Sequence, residues 1–248
     1  MSTSSAPVSP ASSARPQAAP ALPPPPDYGR SFAAWRAGCA GPWHAYTHHA
    51  FVEGIRDGTL PRAAFLRYLV QDYVFLIHFS RAWALAVTKA GNLAEMRACA
   101  ATVHALVDGE MALHVRLCAE AGITEAELEA AEEAPENLAY TRYVLESGYS
   151  GDFLDLLAAL APCVLGYGEI GLRLAADAAA DTPYRDWIDT YAGADYQLAC
   201  REAGALIDGA VAVRLGDAPQ TLPRWQGLQH RFTTATRLEA AFWGLGRV

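Results

Sequence analysis

The sequence lacks the features that mark several classes of protein. Its five cysteines are widely spaced and form no CxxC motif, which argues against a zinc site or a disulfide framework and favours a reducing compartment. Lys and Arg total 19 against 27 Asp and Glu, so nucleic-acid binding has no electrostatic support. No apolar run approaches the roughly 20 residues of a membrane span. We therefore expect a cytoplasmic protein with no nucleic-acid partner and no membrane span.

The residues that are plentiful favour helices. Apolar residues make up 52% of the 248 positions, which is enough for a sizeable core in one or two domains. Ala and Leu are abundant, whereas β-branched residues are sparse outside short clusters, and this composition favours helix over strand. No hairpin signal and no repeat appears. The prediction is a single all-α bundle.

Residues 1–26 stand apart from this pattern. They contain eight of the fifteen prolines and show no hydrophobic periodicity, which is typical of a disordered tail. The apolar segment of a secretory signal is missing, and a transit peptide would hold more arginine than the single Arg15. We therefore divide the chain into a disordered Pro-rich tail, residues 1–26, and one helical domain, residues 27–248.

Turn and capping residues divide that domain into helices. One helix is predicted from Ser31 to Arg56, with a break allowed at Gly41-Pro42, and the turn at 57–61 leads into a helix that ends near residue 91. Gly122 fits a C-terminal cap, and Thr124 with Glu127 forms a capping-box pattern that begins a helix reaching residue 134. The last helix is predicted over residues 223–244.

Three of these helices carry a chemically active group on an apolar stripe. Asp72, Cys163 and Glu239 each occupy a position on the face that three-and-four spacing assigns to the core. A buried carboxylate without a partner is costly, so two of them with a thiol predict a shared polar cavity inside the bundle. We expect the three side chains to converge on one ring-sized pocket.

The helix that carries Cys163 also contains a glycine motif and a proline. Residues 166–171 match GxGxxG, but the helical stripe runs straight through them and no strand precedes them, so a dinucleotide site is not expected. The glycines instead predict close approach of neighbouring helices or of a ligand. Pro162 removes the hydrogen bond to the Ala158 carbonyl, and we expect the resulting bend to turn the thiol toward a cavity.

Five collinear motifs between Phe32 and Gly246 resemble the thiaminase II (TenA) family. They are Asp57-Gly58-Thr59-Leu60-Pro61 with Tyr68-Leu69-Val70-Gln71-Asp72-Tyr73, then Leu160-Ala161-Pro162-Cys163, Tyr167-Gly168-Glu169-Ile170-Gly171, Trp187-Ile188-Asp189-Thr190-Tyr191 and Glu239-Ala240-Ala241-Phe242-Trp243-Gly244. The resemblance implies a haem-oxygenase-like fold, usually tetrameric, without haem, metal or other cofactor. It also implies C–N hydrolysis of aminomethyl-pyrimidines for thiamin salvage, and in some members cleavage of thiamin itself.

The resemblance also implies roles for individual residues. Cys163 matches the nucleophile that adds to the electron-poor pyrimidine ring, Glu239 the acid/base carboxylate that delivers a proton, and Asp72 the carboxylate that orients the thiol and the ring's polar edge. We expect Glu239 to have a raised pKa and Asp72 to stay ionised beside the thiol. Residues expected to contact or support the substrate are Tyr140, Tyr191, Phe75, Tyr167 and Glu169.

Two departures from the family pattern leave the substrate open. The residues after the cysteine are Val164-Leu165-Gly166 where aromatic residues are common, and the chain ends with Gly244-Leu245-Gly246 in place of larger residues. Because these residues are smaller than aromatic ones, we expect Val164-Leu165-Gly166 to leave a wider pocket. The specific pyrimidine or thiamin derivative is therefore not determined.

Other interpretations of the same residues remain open at this point. Cys163 fits an inert core thiol, and Asp72 and Glu239 fit structural ion pairs with arginine. The pairs Glu110–His114, His104–Asp108 and His44–His48 have the spacing of ligands in a di-iron oxidase, although such a site needs about six converging ligands and no histidine lies between 114 and 230. A non-catalytic, pyrimidine-binding regulatory protein is the third alternative.

Overall fold

The computed structural model describes residues 22–246, and all regular structure in this range is helical, which confirms the predicted all-α fold. The α-helices are α1 Arg30–Gly38, α2 Ala40–Thr47, α3 Ala50–Asp57, α4 Arg62–Lys89, α5 Leu93–His104, α6 Met111–Glu120, α7 Glu125–Glu129, α8 Pro135–Ser150, α9 Phe153–Asp177, α10 Arg185–Ala192, α11 Ala194–Leu215 and α12 Pro223–Phe242. A π-helix, Ala105–Glu110, joins α5 to α6, and 3₁₀ turns occupy Pro219–Thr221 and Trp243–Gly246.

Capping residues end the helices much as predicted, with two corrections. The capping box forms, because the Glu127 carboxylate accepts from the Thr124 backbone N–H at 2.7 Å and Thr124 Oγ1 accepts from the Glu127 N–H. The single helix expected over residues 31–56 is instead three helices, with breaks at residue 39 and at residues 48–49 rather than at residues 41–42. Helix α7 ends at Glu129, five residues earlier than expected.

Helix α9 is the centre of the bundle. It packs against α12, α10, α11, α8 and α4, and nearly every side chain from Phe153 to Gly171 is buried. By length and composition α9 is apolar enough to cross a membrane, which corrects the expectation that no segment reaches this threshold, but the whole apolar stretch lies inside the bundle. Its hydrophobicity is that of a core helix surrounded by other helices.

The glycines of α9 are positions of close approach, as predicted. A Cβ at Gly166 would overlap the ring of Tyr46, and a Cβ at Gly171 would lie 2.5 Å from the backbone carbonyl carbon of Tyr191. The backbone of α10 therefore packs directly against the backbone of α9 at Gly171, where no side chain lies between them. This contact sets where Tyr191 sits relative to Cys163, because both side chains depend on the separation of the two helices.

Of the predicted tail, residues 1–21 lie outside the described residues. Residues 22–26 have no regular structure, yet Leu22 packs against the core and Tyr28 is 2% exposed. The Tyr28 hydroxyl donates to Gln197 Oε1 at 2.5 Å, and Asp208 accepts from the backbone N–H groups of Arg30 and Ser31 at the start of α1. Chain packing therefore begins before residue 27.

We expect Gly204→Ala to destabilise the protein, because a Cβ there would overlap the Tyr28 carbonyl oxygen. Displacing this packed segment should lower the free energy of unfolding by about 1–3 kcal/mol. Gly209→Ala on the same helix is the control, since a Cβ there meets nothing within 4 Å and should stabilise by up to about 1 kcal/mol. Chemical denaturation measures both, and equal effects would contradict the packing described.

Candidate active site

A thiol and a carboxylate meet at the core of the bundle. Cys163 of α9 is 9% exposed and Glu239 of α12 is 2% exposed, and the thiol lies within reach of a hydrogen bond to the Glu239 carboxyl group. The Tyr140 hydroxyl of α8 donates to Glu239 Oε1 at 2.7 Å. Burial raises the pKa of Glu239 to about 8, although both hydrogen bonds act to lower it. Burial, with the negative charge of Glu239, also raises the pKa of the Cys163 thiol well above its ordinary value.

Asp72 lies beside this pair but has different partners. Its Oδ2 accepts from the Tyr68 hydroxyl at 2.8 Å and lies 2.7 Å from His114 Nε2. His114 Nδ1 is 2.9 Å from the Glu110 backbone oxygen. Burial lowers the pKa of His114, but the Asp72 carboxylate and Glu110, through its charge and its backbone oxygen, together outweigh burial and raise the pKa overall. Two acceptors around one ring suit an imidazolium, whose charge offsets that of Asp72.

This arrangement corrects one expectation about the two carboxylates. Asp72 was expected to orient the thiol, but Glu239 is the carboxylate that the thiol contacts. The raised pKa expected for Glu239 is the direction found. Within residues 22–246 neither carboxylate is paired with an arginine, which removes the alternative of two arginine ion pairs.

Aromatic residues from four helices surround the group. The Phe75 ring of α4 stacks on the Tyr140 ring at 5.0 Å between centroids, and the Tyr167 ring of α9 lies 4.9 Å from that of Tyr191. The Tyr167 and Tyr68 hydroxyl oxygens are 3.3 Å apart. All four predicted aromatic site residues therefore lie in the same part of the core as the carboxylates.

Glu169, which was expected to contact or support the substrate, lies apart from the carboxylates and the thiol. Both of its carboxylate oxygens accept from the Arg36 guanidinium, at 2.7 and 2.8 Å. Six residues after Cys163, Glu169 is turned about 240° around the helix axis, so it faces α1 rather than the thiol. The buried ion pair joins α1 to α9.

A cavity of about 480 Å³ leads to Cys163. It lies between the π-helix and the junction of α10 with α11, and its walls include Phe79, Leu106, Glu110, Cys163, Asp195 and Tyr196. Among the eight predicted site residues of the described chain, only Cys163 lies on these walls. The thiol therefore lies between the cavity and the buried side chains of Asp72, Glu239 and Tyr140.

Glu110 and His114 are site residues that the sequence analysis did not assign to this chemistry. Glu110 lies on the cavity wall, and its Oε1 accepts from the Tyr191 hydroxyl at 2.8 Å. Burial raises the pKa of Glu110 to about 7. Their four-residue spacing was visible in the sequence but was interpreted as a metal-ligand pair. Nothing in the sequence indicated the π-helix, a geometry that is frequent at functional sites.

The three candidate metal-ligand pairs do not converge. Both nitrogens of His114 already face acceptors, the rings of His44 and His48 stack on each other at 4.3 Å, and His104 pairs with Asp108 on the surface. Across residues 22–246 no three His, Cys, Asp or Glu side chains are grouped so as to hold a metal ion. The described side chains therefore give the di-iron alternative no support.

Comparison with known proteins identifies the family. Residues 39–247 match the family described as TENA/THI-4/PQQC. The chain belongs to this family. An aminopyrimidine aminohydrolase from Halalkalibacterium halodurans is 36% identical over 206 residues, covering 82% of this chain and 89% of that protein. An uncharacterised protein from Haemophilus influenzae is 41% identical over 206 residues, covering 82% of this chain and 93% of its own length.

Solved structures of this TenA family share the fold. A crystal structure from a Silicibacter species, described as a TenA family transcription regulator, superposes with a TM-score of 0.87 at 60% identity and covers 88% of this chain and 97% of its own. A TenA homologue from P. horikoshii superposes with a TM-score of 0.77 at 26% identity and covers 87% of this chain and 97% of its own.

The raised pKa of Glu239 predicts a pH-dependent stability. Above pH 4.5 the unfolded carboxyl loses its proton while the folded one keeps it to about pH 8, so the unfolded state binds fewer protons and the free energy of unfolding falls as pH rises through this window. The glutamine side chain of Glu239→Gln does not titrate. Between pH 5 and pH 8 the free energy of unfolding should therefore fall further in wild type than in Glu239→Gln, and the two falls should differ by more than about 1.4 kcal/mol. Denaturant unfolding at both pH values measures this, and Glu125→Gln controls for surface charge. Equal losses in wild type and Glu239→Gln would contradict a protonated Glu239.

Proposed function

We propose that this TenA-family protein is an enzyme, an aminopyrimidine aminohydrolase of the thiaminase II type, which hydrolyses the exocyclic C–N bond of an aminomethyl-pyrimidine. The observation that carries the proposal is the buried Cys163 thiol at the inner end of the cavity, beside the Glu239 carboxyl that the Tyr140 hydroxyl holds in place. Relatives described as aminopyrimidine aminohydrolases, at 36% identity in Halalkalibacterium halodurans and 35% over 158 residues in Bacillus subtilis, support the same reaction.

The proposed reaction begins with the thiol. Burial keeps the Cys163 thiol neutral and the Glu239 carboxyl protonated in the free enzyme. Glu239 gives its proton to a ring nitrogen of the pyrimidine, which makes the ring a better acceptor of electrons, and the carboxylate that remains takes the thiol proton while the sulfur adds to a ring carbon. The added electrons expel the amine from the exocyclic carbon. Water then takes its place, and the thiol leaves as the ring recovers its aromaticity.

Neighbouring groups hold this pair in place. The Tyr140 hydroxyl fixes one Glu239 oxygen, and the Phe75 ring stacks on the Tyr140 ring. In this proposal Asp72, with Tyr68 and His114, positions the polar edge of the ring rather than the thiol. Tyr167 and Tyr191 complete the aromatic surroundings.

We further propose that the reaction serves thiamin salvage in the cytoplasm, in a homotetramer. All five cysteines are free and buried, as suits a reducing compartment. Large apolar side chains are exposed on the helices, among them Tyr149 at 70% and Val213 at 76%, as suits burial against further subunits. Light scattering of the purified protein tests the subunit number.

A regulatory protein without catalysis is the second candidate. The Silicibacter relative is described as a transcription regulator, and a ligand-binding cavity would serve either role. A thiol placed against a carboxylate of raised pKa favours catalysis, since binding alone needs no such pair. Release of ammonia from aminopyrimidine by the wild-type protein distinguishes the two.

We expect Cys163→Ser to abolish hydrolysis while leaving the fold intact, because the hydroxyl is a far poorer nucleophile than sulfur. Ammonia release from aminopyrimidine measures the loss, and circular dichroism checks the fold. Cys118→Ser, a buried thiol away from the cavity, controls for the substitution itself. Near-normal turnover by Cys163→Ser would refute the nucleophile.

We expect Glu239→Gln to reduce kcat by about 100-fold or more with little change in substrate affinity, because proton transfer of this kind contributes about 10²–10⁴ in rate. The amide retains the size of the side chain but cannot carry the proton. Steady-state kinetics with a direct binding measurement separate the two effects. A variant that binds weakly but reacts at the normal rate would assign Glu239 to binding alone.

A further inference from the structure

The cavity wall holds a second carboxylate that the steps above leave unused. Glu110 ends the π-helix and lies on the same wall as Cys163. Its Oε1 accepts the Tyr191 hydroxyl at 2.8 Å, while its Oε2 has no hydrogen-bond or ion-pair partner among the described residues. One oxygen is thus held in place and the other is available to the contents of the cavity.

The other carboxylates near the thiol are already engaged. Glu239 is occupied with the thiol and the Tyr140 hydroxyl, and Asp72 with Tyr68 and His114. Both lie off the cavity walls. A leaving amine and an incoming water must pass through the cavity, so neither Glu239 nor Asp72 is placed to meet them there.

The charge on the cavity walls suits an amine. Glu110, Asp189 and Asp195 line it, and its walls carry no lysine or arginine. An ammonium group is therefore attracted to the outer side of the thiol, whereas a phosphate would be repelled. Burial raises the pKa of Glu110 to about 7, close to the value at which one carboxyl both accepts and donates a proton near neutral pH.

We propose that Glu110 is a second catalytic acid/base, which takes a proton from the water that replaces the amine and then gives that proton to the released ammonia. The inference rests on the proposed function. It divides proton transfer between two carboxylates: Glu239 serves the thiol and the ring nitrogen, and Glu110 serves the exocyclic carbon.

The substrate's ammonium pairs with the Glu110 carboxylate, and once the thiolate has added, the C–N bond breaks with its electron pair going to nitrogen as ammonia. The oxygen of water then bonds to the exocyclic carbon, and Glu110 takes the proton that this water loses. The C–S bond breaks with its pair returning to sulfur, which takes a proton from Glu239 as Glu239 takes back the ring proton. Glu110 gives its proton to ammonia, which departs as ammonium.

Azide tests this assignment, because it is a nucleophile that needs no base. We expect Glu110→Ala to hydrolyse aminopyrimidine about 100-fold or more slowly with KM changed much less. Added azide should restore consumption of substrate and yield the azidomethyl-pyrimidine, detected by mass spectrometry. Glu239→Ala should not be rescued, since azide cannot serve the ring nitrogen. Glu120→Ala, an exposed carboxylate on α6, controls for lost charge and should retain activity.

Each result is decisive. A Glu110→Ala protein that turns over normally, or that is slow and forms no azido product, overturns the role of Glu110 while the proposed function stands. Wild-type protein that releases no ammonia overturns the proposed function and this inference with it. If Glu110→Ala fails to fold, Glu110→Gln keeps an acceptor for Tyr191 and should show the same loss of kcat, and a Glu110→Gln protein with normal kcat overturns the inference.

Discussion

Burial of α9 on all sides is the constraint on which the rest of the structure depends. Helices pack around it along most of its length, and every side chain from Phe153 to Gly171 is buried among them. A residue such as Cys163 on this helix is therefore removed from bulk water wherever it points, except where the packing leaves a cavity. The glycines at 166 and 171 let neighbours come closer than a Cβ would permit, which brings the Tyr191 backbone into the same layer.

The polar groups in this layer are stabilised by one another rather than by solvent. Asp72 has the His114 ring and the Tyr68 hydroxyl, and Glu239 has the Tyr140 hydroxyl and the thiol. Because no arginine or lysine reaches Glu239, its burial is relieved by keeping the proton, which is why its pKa rises. The same low-dielectric surroundings that make the charge costly also make the carboxyl a proton donor near neutral pH.

Glu169, a buried carboxylate on α9, shows the opposite outcome. Its position around the axis directs it to Arg36, and the two form a bidentate ion pair between α9 and α1. A charged partner with matched geometry gives a buried carboxylate a structural role. The helix that faces a buried carboxylate thus decides its role. Glu169 faces α1 and joins that helix to the core, whereas Glu239 faces the thiol and is available for chemistry.

The sequence by itself determined the helical class, the core-facing positions of Asp72, Cys163 and Glu239, and the capping box at Thr124, because periodicity and capping are local properties of a chain. Its five collinear motifs also indicated the family. Tertiary structure alone decided the partner of each buried group: the thiol contacts Glu239 instead of Asp72, Glu169 pairs with Arg36, and Glu110 lies on the cavity wall. These pairings join residues as many as 133 positions apart, and no local pattern specifies them. They follow from how the helices pack around α9, and from the π-helix that turns Glu110 into the cavity.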